Sequence, residues 1–156
     1  MKIHWDIEQG TEDWFRLKWG KIGGSNAKEL FTPSDTLLTH TVAELIEEFE
    51  APDEISNTDM DRGKEMEPEA RKQLEVYTGL KFLVPGWVQS DFCSLVGISP
   101  DGLTENLKSG CEIKCCARVM HTQTLIDDEI PPKNLNQCLH YFTVIDTLEE
   151  LFFCSF

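Results

Sequence analysis

Ser94–Cys116, SLVGISPDGLTENLKSGCEIKCC, reads as a β-hairpin, and the rest of the chain is placed around it. An apolar run, Leu95 to Ile98, leads into Ser-Pro-Asp-Gly and a polar loop rich in turn formers. A short return strand follows, Cys111 to Cys115. Side chains alternate faces along a strand, so Cys111, Ile113 and Cys115 point one way and Glu112 and Lys114 the other. The apolar trio belongs in the core, which presents Glu112 and Lys114 close to where the first strand delivers Asp101. Two carboxylates and an ammonium so placed suit a hard divalent cation, which takes oxygen ligands from carboxylates, water and substrate phosphate. Asp101, Glu112 and the Ile113 carbonyl are the candidate metal ligands, and Lys114 the residue that orients or deprotonates an attacking water. A surface hairpin carrying a solvated Glu–Lys pair has the same pattern, so the rest of the chain decides between the two readings.

At 156 residues, with 40% apolar and 27% charged residues, the chain is expected to form one soluble domain with a core of its own. No apolar run approaches the ~20 residues of a membrane span, and MKIHWDIEQ lacks the features of a signal peptide, so an intracellular protein is expected. The six cysteines include no Cys-x-x-Cys pair and no zinc spacing, and read as reduced thiols packed as small hydrophobes. The net charge of −14 runs against the basic footprint usual for nucleic-acid binding. Much of the acid is concentrated in Glu44–Asp61, however, while Arg16, Lys18, Lys21 and Lys28, and then Arg62, Lys64, Arg71 and Lys72, gather elsewhere.

Residues 1–10 read as an extended lead-in. A first helix starts at Thr11, carries Trp14 and Leu17 inward and stops at Gly20. Gly23-Gly24-Ser25 precedes a short helix, Asn26–Phe31, with Ser25 either as a plain N-cap or as part of an anion site that the glycines let a ligand approach. Pro33–Thr39 reads as a turn, Thr41–Glu50 as an amphipathic helix through Val42, Leu45, Ile46 and Phe49, and Ala51–Thr58 as a loop. A longer helix spans about Asp59–Thr78, its Gly63, Glu67, Ala70 and Leu74 on one stripe at intervals of 4, 3 and 4. Glu67 thus holds an apolar position, with Pro68 starting a new turn or kinking the helix. Leu80–Val84, Trp87–Ser90 and Ser94–Ser99 read as strands of a mainly antiparallel meander. Val119–Ile126 is predicted helical. So is Lys133–Asp146, burying Leu135, Cys138, Leu139, Phe142 and Ile145 and leaving Lys133, Gln137 and His140 wet. Glu150–Phe156 reads as a last strand, apolar and uncapped, so a missing C-terminal piece is expected.

Four blocks in order carry a resemblance. Trp14–Ser25 resembles the W-x-x-x-R-x-G-x-I-T-A-S block of the lambda exonuclease family, the YqaJ-type viral recombinases, and Gly63–Arg71 resembles their G-x-x-x-E-x-x-A-R helix. Pro100-Asp101 with Glu112-Ile113-Lys114 is similar to the PD-(D/E)xK nuclease signature, and Gln137 falls where the family places a glutamine on the following helix. The resemblance implies an α/β (α+β) fold, a restriction-endonuclease-like core with a mixed or antiparallel central sheet flanked by helices, and residues 1–156 as one nuclease domain. It implies a Mg²⁺-dependent 5′→3′ exonuclease on double-stranded DNA ends, with Mn²⁺ substituting, that leaves a 3′ overhang for a strand-annealing partner. Glu67, Asp101, Glu112 and the Ile113 carbonyl would then hold metal, Lys114 would activate the water and Gln137 would position the site. Arg16, Lys18 and Ser25 would bind DNA and its 5′ phosphate, Lys18 standing where the lambda enzyme has arginine and losing the bidentate grip. Relatives form ring trimers, so a homo-oligomer is implied, along with a phage or prophage origin and action in the bacterial cytoplasm without a membrane. Two other readings keep their place: a structure-specific or restriction-like endonuclease, and a non-catalytic acidic module that mimics DNA or binds protein.

Overall fold

The computed structural model describes residues 1–32, 35–51 and 58–156. The predicted Ala51–Thr58 loop falls mostly outside them. β1 (Lys2–His4) pairs antiparallel with β2 (Trp87–Gln89), which pairs antiparallel with β3 (Gly97–Ile98). A second sheet runs β4 (Gly102–Leu103), β5 (Ser109–Lys114) and β6 (Glu150–Ser155), with β4–β5 antiparallel and β5–β6 parallel. Single bridges, Leu83 to Leu103 and Ile22 to Val96, add a pairing at β4 and one beside β3.

The expected single central sheet is therefore two three-stranded sheets. The hairpin is real but begins later than its apolar run suggests: β3 joins the first sheet, and the strand that pairs with β5 is Gly102–Leu103. Between them stands Pro100, which has no N–H to offer a ladder, and Asp101, whose side chain rather than backbone meets β5. Leu80–Val84 is not a strand, apart from the Leu83 bridge.

Helix α1 (Glu12–Lys18) starts as predicted, Thr11 Oγ1 accepting from Trp14 N at 3.4 Å. Its end is set by Gly20 at φ +66°, a left-handed position where a Cβ would also lie 2.7 Å from Leu45. A 3₁₀ turn at Gly24–Asn26 leads into α2 (Ala27–Phe31). Ser25 caps neither; its hydroxyl lies 3.3 Å from Asn26 Oδ1. Gly24 is closely packed: a Cβ on it would sit 3.1 Å from Ile98 Cδ1 and 3.2 Å from Gln137 Cγ.

Helix α3 (Asp35–Ile46) absorbs most of the predicted turn, and Val42, Leu45 and Ile46 on it are exposed. Helix α4 (Thr58–Thr78) runs through Pro68 and closes at Gly79, φ +72°. After α5 (Arg118–Asp127), α6 (Pro132–Val144) supplies much of the crossover that the parallel β5–β6 pairing requires. Cys138 and Ile145 are buried as expected, but the rest of the inward face of α6 differs from the expected one. Asn134, Cys138, His140, Tyr141 and Val144 point inward, and Leu135, Leu139 and Phe142 outward.

These elements enclose two apolar clusters. Val88, Val96, Ile98 and Leu103 meet Tyr141, Val144, Ile145 and Leu148. Ala70, Leu74 and Phe82 meet Cys111 and Ile113. β5 thus turns its apolar face toward α4 and its Glu112 toward α6. All six cysteines are free thiols, Cys111 and Cys138 buried.

Candidate active site

β5 presents Glu112 opposite the Cys111/Ile113 face, in a position with no solvent exposure. A carboxylate there must be paired and hydrogen-bonded. Tyr141, itself fully buried on α6, donates to Glu112 Oε2 at 2.7 Å, and its oxygen also lies 3.1 Å from the Cys111 carbonyl and accepts from Asp101 N–H at 3.4 Å. The other oxygen, Oε1, meets Lys114 Nζ in an ion pair but has no hydrogen bond of good geometry. Burial works against the Lys114 charge, but the attraction of the Glu112 carboxylate, with Asp101 behind, outweighs it and holds the ammonium above its ordinary range.

Asp101 reaches across from the start of β4, its Oδ2 accepting from Ile113 N–H at 2.6 Å. Burial first, then the charges of Glu112 and Glu67, push its carboxyl up to about 8, against the pull of the Ile113 N–H and Lys114. Glu67 comes from α4. It is half-buried and paired with Arg71 one turn on, and Arg71 Nε donates to the Asp101 carbonyl at 2.7 Å. Pro68, next to Glu67, cannot donate to the helix ladder.

The structure therefore brings Glu67, Asp101, Glu112 and Lys114 into one electrostatically coupled group. Gln137 is on α6 one turn before Tyr141, partly buried against Gly24. On the far side of Gly24 the basic residues divide. Lys18 and Ser25 line a cavity of about 250 Å³ together with Phe15, Trp19, Lys21 and His40. Lys18 Nζ stacks 3.6 Å over the Trp14 ring, and burial lowers its amine to about 8. Arg16 does not line that cavity; it pairs with Glu12 at 2.7 Å and stacks over Phe49 at 4.4 Å. The larger cavity, about 580 Å³, is lined by Tyr77, Leu125, Phe153 and Phe156 among others, and none of the candidate site residues borders it.

Tyr141 and Arg71 are the two residues of this cluster that sequence reasoning did not assign to it. Tyr141 could have been found on the stripe Asn134, Cys138, Tyr141, Ile145, at intervals of 4, 3 and 4, which matches the buried face. Arg71 sits four residues after Glu67, the spacing of an ion pair on a helix.

Among the described residues, no three His, Cys, Asp or Glu side chains form a ready-made metal cage. Mg²⁺ does not need one, since it is commonly held by one or two carboxylates plus water and phosphate. Asp101 and Glu112 have that chemistry, with a buried Glu112 oxygen that meets only the Lys114 ammonium and an Asp101 carboxyl raised by burial and then by its acidic neighbours. A divalent cation would offset that excess negative charge, so the residues fit one.

A mixed α/β fold carries this carboxylate–lysine strand, and comparison with known proteins places the chain among nucleases. Among solved structures, an alkaline exonuclease from Laribacter hongkongensis, LHK-Exo, superposes with a TM-score of 0.78 at 24% identity, covering 94% of this chain and 74% of that one. The complex of LHK-Exo with dAMP gives 0.81 at 26%, with the same coverage. No curated protein sequence matches the chain. The YqaJ-like viral recombinase domain model matches residues 13–147, and the chain belongs to that family.

Proposed function

We propose that this protein is a Mg²⁺-dependent exonuclease that degrades linear double-stranded DNA in the 5′→3′ direction and leaves 3′ overhangs for a strand-annealing partner. The observation that carries the reading is the Glu112–Lys114 pair, buried at its acidic end and set against the raised carboxyl of Asp101. The family and the likeness to LHK-Exo, an alkaline exonuclease with a dAMP complex, support it.

In this reading Asp101, Glu112 and the Ile113 carbonyl hold the cation, with Glu67 completing the charge around it. The bound ion supplies neutralisation of the phosphate and acidification of a water. The water oxygen bonds to phosphorus as the bond to the 3′ oxygen breaks; the water gives up its proton to solvent, and the departing 3′ oxygen gains one. Lys114, held charged by its carboxylate neighbours, orients that water and stabilises the phosphoryl oxygens rather than acting as the base. Tyr141 fixes the Glu112 carboxylate, and Gln137 positions the α6 side. Lys18 and Ser25 receive the 5′ phosphate; Arg16 joins them only on leaving Glu12.

The test is a duplex labelled at either the 5′ or the 3′ end, beside a covalently closed circle, each with Mg²⁺. Early release of the 5′ label with the circle intact is expected. Nicking of the circle would place the protein among endonucleases, and early release of the 3′ label would reverse the polarity.

A further inference from the structure

Arg71 is the one cation of the cluster that the proposed chemistry leaves unused. It lies on α4 with its side chain mostly buried, so it is not a surface charge. Its two ends do different things. Nη2 pairs with Glu67, on the same helix, and Nε donates to the main-chain carbonyl of Asp101, on the neighbouring hairpin, at 2.7 Å. A guanidinium presents several donors in a fixed fork, so one side chain can hold both groups in a set relation. An ammonium is a single point and cannot do so with the same geometry.

Resting on the metal-dependent reading above, we infer that Arg71 is a positioning residue that meters the cation site. Its charge competes with the divalent ion for Glu67, and its fork holds Asp101 at the angle the reaction needs. The two functions separate in principle, because one depends on charge and the other on shape.

Charge alone governs the first. With Arg71→Gln, Glu67 loses its cation and the cluster gains one net negative charge, so a divalent ion binds more tightly, by about tenfold even where the site screens charge as well as bulk water does. Arg71→Lys keeps the charge and is expected to hold the affinity within about threefold of the parent. Shape governs the second. Both variants release the Asp101 carbonyl from its fork, and turnover falls in both, on the order of tenfold or more. Tighter cation binding with slower turnover is not what a merely structural arginine produces; its loss would weaken binding and turnover together as the site loosens.

The experiment is calorimetric titration of the metal-free protein with Mn²⁺, for parent, Arg71→Gln and Arg71→Lys, beside kcat on linear duplex and a melting curve. Tighter Mn²⁺ binding in Arg71→Gln, near-parent binding in Arg71→Lys and slower turnover in both support the inference. Unchanged or weaker Mn²⁺ binding in a folded Arg71→Gln overturns it, as does unchanged turnover in either variant. Should Arg71→Gln fail to fold, Arg71→Lys decides alone: near-parent binding with slowed turnover supports the inference, and any other result overturns it. A parent that binds no Mn²⁺ at a defined site refutes the metal-dependent reading itself, and this inference with it.

Discussion

Asp101 concentrates the tension of the site in one side chain. It accepts a good hydrogen bond from Ile113 N–H, yet burial and two acidic neighbours raise its carboxyl from 3.8 to about 8. The metal-free fold therefore keeps a proton that the unfolded chain gives up. Between about pH 4 and pH 8 the folded state binds more protons than the unfolded one, so this group's contribution to stability is full below that window and is lost as pH rises through it. Urea midpoints of the metal-free protein are expected to fall from pH 5 to pH 8 more in the parent than in Asp101→Asn, and Mg²⁺ is expected to restore the parent at pH 8. Equal slopes in the two proteins would show that Asp101 is not under this strain. Asp101, Glu112 and Lys114 were readable as a cluster because strand alternation puts Glu112 and Lys114 on one face whatever the tertiary fold. The burial of Tyr141 was readable from its stripe but its role was not, because only packing between α6 and β5 makes its hydroxyl the partner of Glu112.

At the scale of elements, the strong local signals located the helices, and tertiary contacts decided their faces. Thr11, Gly20 and Gly79 mark helix ends as expected, two of them through left-handed glycines. α6 misled because Leu135, Leu139 and Phe142 make an apolar stripe as regular as the buried one, and hydrophobicity alone does not choose between two stripes. His140, expected to be wet, is buried with its ring nitrogen 3.0 Å from the Gly97 carbonyl, a bond that joins α6 to β3. The expected strands Trp87–Ser90 and Ser94–Ser99 contain β2 and β3, whereas β4 was missed because two residues are too few to show a period. Gly24 gives this level its test. It lets the 3₁₀ turn approach both Ile98 and Gln137, so Gly24→Ala is expected to cost about 1–3 kcal/mol and to slow cleavage by displacing Gln137. Parent-like stability and rate would mean that the close approach is immaterial to the site.

For the molecule as a whole, the question is how a chain of net charge −14 handles DNA. Of the two basic groups the sequence suggested, the one on α4 is partly committed to the fold. Arg62 donates to the Cys116 carbonyl and Arg71 to that of Asp101, bracing α4 against both ends of the site. Lys18 and Lys21 remain beside a cavity, with Lys18 stacked on Trp14 rather than paired with an acid. A small set of phosphate contacts is expected, with a correspondingly shallow dependence of DNA affinity on salt. Lys18→Gln is expected to lower the slope of log K against log salt by about one. An unchanged slope would remove Lys18 from the phosphate contacts. No helix among the described residues is long and apolar enough to cross a membrane.

The most direct test is the rate at which nucleotides leave a linear duplex, measured for the parent and Asp101→Asn with Mg²⁺ and with chelator. The account predicts release by the parent only when Mg²⁺ is present, and a rate at least about a hundredfold lower in the variant. Parent activity that survives chelation, or a variant as fast as the parent, would contradict it.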